Sequence, residues 1–466
     1  MESLRLIASI FIATFVGRNI LYLMSFKNTR LFFLERLFIS YGFGFGFISL
    51  EMFIFHFFNL KFSLFSIIIW WVPFIAAAVF MHFNSSDKSR WGLNPTYFSA
   101  KAKALQNMSF LEKFLICGIS FEVIYAFFRA LIKPIEAYDA IATYAIRSKI
   151  FYLGKSIPHD FFYNLSTLFP HPDYPLNIPL SEAFVYMFLG SLNDQLVKAI
   201  FPLFFVAILG ILYFAVKRLS GRTSALICTF VLATVPQFNN FATNAYHDVP
   251  FAYYCFVGTL FLLYWFKETK SLGYLCISAV MTALAGWTKN EGFVYCAANI
   301  LLLLIFLFVS RRSIKKKDVL SGVLYIGIVL LVLSPWLWVK LTANLVNSDV
   351  GSTTLGQLNV MKQAYKIWPI FYEFQRQIFG PKKWNLIWII FIMSAIVYRK
   401  KLFDENQRYV TMSLMLVMSG YIFAYLIGRD DIWHMVGTTW SRMTMHFLPL
   451  TIYWLAILFS KSKLET

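Results

Sequence analysis

Long unbroken apolar runs separated by short basic connectors dominate this chain, and they leave few folds open to it. A helix crossing a bilayer takes about 20 predominantly apolar residues. Thirteen segments are candidates, near residues 5–25, 37–58, 63–83, 112–132, 196–216, 223–238, 250–266, 272–287, 292–310, 319–341, 384–400, 410–427 and 441–460. A backbone inside hydrocarbon must satisfy its own polar groups, which admits helices or closed barrels. Barrels need alternating strands of about ten residues, and these runs do not alternate. The expected fold is all-α, a polytopic transmembrane helical bundle with about 13 spanning helices.

Composition agrees. The 466 residues are 59% hydrophobic and only 14% charged, against about 25% charged in soluble domains. The five cysteines (Cys117, Cys228, Cys255, Cys276, Cys296) all fall inside apolar runs without metal-ligand spacing, and read as free core thiols. The first run lacks the charged start and small-residue cleavage site of a signal peptide. It reads as a helix.

A net charge of +19 would suggest nucleic acid in a soluble protein. Here the basic residues gather in connectors, among them Lys27, Arg30, Arg36, Lys88, Arg90, Lys101, Lys103, Lys217, Arg218, Arg222, Lys267, Lys270, Arg311, Arg312, Arg399, Lys400, Lys401, Lys461 and Lys463. Under the thirteen-helix topology all these connectors share one side. The positive-inside rule makes that side cytoplasmic, with the N-terminus outside and the C-terminus inside. No nucleic-acid partner is expected.

The opposite side receives two long loops, 133–195 and 342–383, and short ones at 239–249, 288–291 and 428–440. Helical periodicity covers Ala137 to Leu153. A proline-punctuated stretch, His171-Pro172-Asp173-Tyr174-Pro175, follows. A further amphipathic helix over Leu180–Leu189 is expected to lie in the membrane interface.

The reactive side chains concentrate in these outer connections. Glu136, Tyr138 and Asp139 follow the fourth run, His247 and Asp248 open the seventh, and Lys289 and Glu291 occupy the turn before the ninth. Arg429, Asp430, Asp431 and His434 precede Arg442 in the last. Ionisable groups at membrane depth are costly and mark function. An acid set beside a cation set suits acid–base chemistry on an anionic substrate. Bland roles compete: Asp139 and Asp248 as helix starters, Lys289 snorkelling to headgroups, and His171 and Asp173 as turn formers. Arg429 to Asp431 would then be a solvated loop. Their shared side argues against coincidence.

At these residues the chain resembles the GT-C-type glycosyltransferases, over roughly residues 112–460, and within them the protein O-mannosyltransferases and the lipid A aminoarabinose transferases. The points of likeness are the acid after a membrane helix (Glu136 to Asp139), the acid opening a later helix (Asp248), the turn Gly286-Trp287-Thr288-Lys289, and Arg442 with Pro449. The stretch Tyr138-Asp139-Ala140, with the His171 to Pro175 motif, is similar to a bacterial subgroup. Three apolar runs precede the matching part, which suggests two regions, 1–111 and 112–466.

The resemblance implies a sugar transferase using a polyprenyl-phosphate-linked donor and a lipid, glycan or protein acceptor, at the outer face of a bacterial cytoplasmic membrane. Asp139, in preference to Glu136, would be the general base of an inverting displacement. Asp248 would orient the acceptor or Asp139. Lys289 and Arg442 would neutralise the departing phosphate. Tyr138, His171, Asp173, His247, Glu291 and Arg429 would line the substrate site. No cofactor is expected; a divalent ion gathered by His247, Asp248, Asp139 and His171 stays open, with metal independence the favoured reading. Three rivals remain: a lipid or polysaccharide transporter, an outer-face polysaccharide ligase or polymerase, and a non-catalytic scaffold.

Overall fold

The computed structural model describes residues 1–24, 29–84, 108–163, 171–267, 271–310, 315–345, 360–428 and 431–460. Arg429, Asp430 and several expected topology residues (Lys27, Lys88, Arg90, Lys101, Lys103, Lys270, Arg311, Arg312, Lys461 and Lys463) lie outside them. Every regular element among the described residues is helical.

Helices α1 (Glu2–Met24) and α2 (Phe33–Phe57) pack closely, and α3 (Leu64–Ile69) and α4 (Val72–Phe83) follow. Close packing needs a residue without a side chain: a Cβ on Gly44 would sit 1.8 Å from the Ala13 carbonyl oxygen. Helix α5 (Phe110–Ile132) leads into a π-helical turn (Ala140–Ala145), α6 (Ile146–Gly154) and α7 (Asn177–Leu189). Next come α8 (Ile200–Ala233), the short α9 (Pro236–Phe241), α10 (Asp248–Lys267), α11 (Leu272–Thr288), α12 (Gly292–Val309) and α13 (Lys316–Thr342). Beyond the second long loop lie α14 (Ile367–Ile378), α15 (Pro381–Trp384), α16 (Ile387–Val397), α17 (Arg408–Ile427), α18 (Ile432–His446) and α19 (Leu448–Leu458).

Among the described residues nine helical segments are long and apolar enough to cross a membrane, and α11, α16 and α19 are shorter apolar helices. Two expected spans form the single run α8, broken only at Gly221 (φ 83°, ψ −174°), inside the connector where a break was expected. Large apolar side chains face outward. On α5, Phe114, Phe121 and Phe128 are 58–64% exposed, a stripe suited to lipid rather than water. Cys117, on the same helix, is exposed too, so it is not a core thiol.

Three findings bear on the site. First, residues before and after 111 share one apolar core. From α10, Tyr253 Oη donates to the Phe38 carbonyl and Tyr254 Oη to the Gly42 carbonyl, both at 2.8 Å. From α11, Trp287 Nε1 donates to Ser49 Oγ at 2.9 Å. The leading helices therefore brace the helices that carry the site.

Second, α7 does not present an exposed amphipathic face. Its residues are buried on all sides, against α1, α2, α6 and α11. Helices α1 and α2 provide much of the cover, and the polar side chains Asn177, Ser181 and Glu182 are buried with the rest. Glu182 sits within it, fully buried and hydrogen-bonded by Ser148. Burial pushes its carboxyl up to about 8. A carboxyl whose pKa is raised on folding contributes stability below its unfolded pKa of about 4.5 and loses it as pH rises through 8. We expect the wild-type thermal midpoint to fall between about pH 5 and about pH 8, and that of Glu182→Gln to fall less. Parallel pH curves for the two proteins would refute this.

Third, the helix ends separate by charge. The S-x-x-E start of α5 is a capping box, with Glu112 N–H bonded to Ser109 Oγ at 3.2 Å and Ser109 N–H to Glu112 Oε2 at 3.0 Å. Glu112 also holds Arg222 at 2.7 Å. Nearby in sequence, Arg218 holds Glu35 at the start of α2 (Nη1–Oε1 2.7 Å). The 23 residues of α5 rise roughly 34 Å from this basic end to the loop carrying Asp139. Likewise Lys267 and Asp248 stand at opposite ends of α10.

Candidate active site

Five segments converge at the end of the bundle away from those basic pairs. Asp139 opens the π-helical turn. Its side chain makes no capping bond to that turn; Oδ2 instead accepts from Arg442 Nη1 at 2.8 Å. The wide π spacing, i to i+5, puts Asp139, Thr143 and Tyr144 on one wall of the same cavity.

Asp248 begins α10 and is fully buried. Lys289 Nζ donates to Oδ1 at 2.8 Å and Arg442 Nη2 to Oδ2 at 3.0 Å. His446 Nε2 lies 2.8 Å from Oδ1. Arg442 and His446 are one turn apart on α18, hence on one helix face. The other His446 nitrogen, Nδ1, is 3.0 Å from Tyr421 Oη. Asp248 therefore lies behind the cavity, where two cations and a histidine saturate it.

Lys289 caps the end of α11 in an extended conformation. The turn to α12 is tight, since a Cβ on Gly292 would meet the Ala285 carbonyl oxygen at 2.2 Å. It directs Lys289 between Asp248 and Glu291 Oε1, the latter at 3.0 Å. Burial alone would lower the Lys289 pKa; the Asp248 and Glu291 carboxylates outweigh it and raise it. Burial pushes Glu291 up, and Lys289 outweighs that, so its carboxyl ends below the usual range. Both groups are charged.

These groups wall a cavity of about 360 Å³ that Asp139, Tyr144, His171, Tyr174, Lys289, Glu291, His434 and Arg442 line. His247 is buried behind it, stacked on Tyr144 with ring centroids 3.5 Å apart. Burial, followed by the Lys289 charge, drives its pKa well down, so it is neutral. Asp173 is buried and accepts from Asn290 Nδ2 at 2.5 Å; burial raises its pKa.

Several sequence expectations need revision. Glu136 is 59% exposed and paired with its neighbour Lys133 at 3.2 Å, and Tyr138 is 81% exposed; neither lines the cavity. The chain turns into the π segment only at Asp139, so residues before it point elsewhere. Glu136→Gln should leave activity and unfolding midpoint unchanged, and a marked loss in either would place Glu136 back in the site. Lys289 and Arg442, expected to meet a phosphate, line the cavity and are paired there with carboxylates. Among the described residues no group of three or more His, Cys, Asp or Glu side chains is arranged to hold a metal ion. His446, Tyr144 and Tyr421 went unnoticed in the sequence. The i, i+4 spacing of Arg442 and His446 was the available signal for the first.

Residues 173–339 match the family model described as dolichyl-phosphate-mannose-protein mannosyltransferase. That stretch contains Asp248, Lys289 and Glu291 and leaves out Asp139 and Arg442. No curated protein sequence matches the chain. Similar solved structures include ArnT from Cupriavidus metallidurans bound to undecaprenyl phosphate (14% identity, TM-score 0.48, 74% of this chain and 59% of that one). Another is the archaeal oligosaccharyltransferase AglB from Archaeoglobus fulgidus in complex with an inhibitory peptide and a dolichol-phosphate (14% identity, TM-score 0.48, 75% and 50%). The chain thus spans about 59% of the length of that ArnT chain.

Proposed function

We propose that this protein transfers a sugar from a polyprenyl-phosphate-linked donor to an acceptor hydroxyl, at the outer face of the membrane. One observation carries the reading: Asp139, Asp248, the Lys289–Glu291 turn and Arg442, contributed by four separate segments, form one ion-paired cluster around a polar cavity at a helix-bundle end. Such a cluster stores charge for chemistry at a membrane boundary. The family match supports a lipid-phosphate sugar as the donor. Separation of the cavity from the basic helix ends supports an outward orientation.

In this mechanism Asp139 is the general base. Arg442 holds one carboxylate oxygen, at Oδ2, and Oδ1 takes the acceptor's proton. The acceptor oxygen attacks the anomeric carbon as the bond from that carbon to the phosphate oxygen breaks. The lipid phosphate leaves with the electron pair, and the anomeric configuration inverts. Asp248 does not touch substrate. It fixes the Arg442 guanidinium, through Nε at 3.2 Å and Nη2 at 3.0 Å, so that Nη1 presents Asp139 in one orientation. Glu291 and His171 line the sugar's side of the cavity.

The test is transfer of radiolabelled sugar from a panel of polyprenyl-phosphate-linked donors by the purified chain in proteoliposomes. We expect transfer from at least one donor, with product on the face opposite the C-terminus. Absence of transfer across hexosyl and pentosyl donors, together with movement of an intact lipid-linked glycan across the bilayer, would replace this reading with a transporter.

A further inference from the structure

The ion-paired cluster leaves a charge problem. Asp139, Asp248 and Glu291 face only Lys289 and Arg442, so the cluster is no better than neutral even with His446 protonated. Among the described residues, a phosphate entering the polar cavity would find Lys289 and Arg442 already matched to carboxylates, and an unmatched anion in a semi-enclosed site is costly. The departing phosphate needs another partner.

A second cavity, of about 290 Å³, adjoins the first and shares Tyr174, Glu291, Met435, Thr439 and Met443 with it. Its own walls are mainly apolar, including Phe293, Val294 and Ala424. They come from the ends of α12, α13 and α17, and α12 packs against both of the others. One cation lines it: Lys340, near the end of α13. Its Nζ donates to the neutral Asn290 Oδ1 at 3.1 Å and lies over the Phe293 and Trp336 rings at 5.3 and 5.9 Å. No carboxylate among the described residues pairs with it. Asp173 makes no ion pair with it, but faces it as a charge and is joined to it through the Asn290 amide.

We propose that Lys340 anchors the phosphate of the lipid donor, with the sugar in the polar cavity and the first isoprenoid units in the apolar one. An amphiphile of this kind, polar at one end, anionic at the junction and hydrocarbon beyond, matches the sequence of environments from Asp139 through Glu291 and Lys340 to Phe293 and Val294. The buried Glu291 Oε2, without a hydrogen-bond partner among the described residues, stands at the junction to accept a sugar hydroxyl. This inference rests on the donor class proposed above.

The experiment measures binding of a prenyl phosphate to the full chain in nanodiscs, for wild type, Lys340→Gln and Lys340→Arg, beside the uncharged prenol, phosphatidylglycerol and inorganic phosphate. Loss of one charge-assisted bond should weaken prenyl phosphate binding in Lys340→Gln roughly 10- to 100-fold. Lys340→Arg should retain most of it, and prenol binding should not change between variants. In transfer, Lys340→Gln should raise KM for the donor more than it lowers kcat. Wild-type-like binding and KM in Lys340→Gln would overturn the assignment while leaving the transferase reading intact. Phosphatidylglycerol displacing the prenyl phosphate at equal concentration would overturn it too, in favour of a bulk-lipid headgroup site. Tight, Lys340-dependent prenyl phosphate binding without sugar transfer from any donor would uphold Lys340 and defeat the transferase reading. A normal unfolding midpoint for Lys340→Gln separates lost binding from lost fold, and Lys340→Arg supplies the folded comparison if that midpoint drops.

Discussion

Asp139→Asn is expected to fold normally and to transfer sugar about 10²- to 10⁴-fold more slowly than wild type, with little change in donor KM. Asparagine keeps the shape of the side chain and leaves an oxygen for Arg442 Nη1, so the cavity wall should stand. What it lacks is a basic oxygen to take the acceptor's proton. The partner pair is partly open to solvent, with the Asp139 side chain 43% exposed, and pairs of that kind contribute about 0–1 kcal/mol to stability. Single-turnover transfer at saturating donor isolates the chemical step. A rate within a few-fold of wild type would remove Asp139 as the base and leave Glu291 and Asp431, the other carboxylates lining the cavity, to be tested in its place.

How much of this was readable in the sequence depends on what each residue contrasts with. Asp248, Lys289 and Arg442 stand out because each is a charge set against an apolar frame, and such frames are what hydropathy detects. The break at Gly221 was legible for the same reason, as a basic connector between apolar runs. Composition and spacing alone do not separate Glu136 from Asp139, three residues apart in one acidic stretch; the preference for Asp139 comes from the family resemblance. The π-helical turn divides them by aiming only Asp139 inward. Burial of α7 was hidden because its cover, α1 and α2, lies more than a hundred residues earlier in the chain. His446 and Tyr421 look like ordinary residues of aromatic-rich helices. Only the packing of α17 and α18 against α10 turns them into a relay ending at Asp248. The competition for Lys289 and Arg442 is a matter of counting charges in space, which a linear sequence does not display.

That count separates the two acids by energetics as well as by role. Asp248→Asn should cost about 3–5 kcal/mol of stability, the range for breaking a buried ion pair by removing one partner. The Asp248 carboxylate is fully buried and neutralises a lysine whose side chain is 2% exposed and an arginine at 17%. An amide in its place leaves those cations facing only Asp139 and Glu291. It also presents an N–H₂ group to one of its three former donors, and that contact becomes repulsive. Activity should fall along with stability, because Arg442 loses the anchor that aims it at Asp139. Thermal unfolding of the two variants in the same detergent checks the ranking: Asp139→Asn near wild type, Asp248→Asn far below it, both poor transferases. Equal midpoints would mean that Asp248 is not the electrostatic keystone of the cluster and that water reaches Lys289. A stable but inactive Asp248→Asn would instead make Asp248 a group that meets the substrate directly, moving the reacting centre deeper than Asp139.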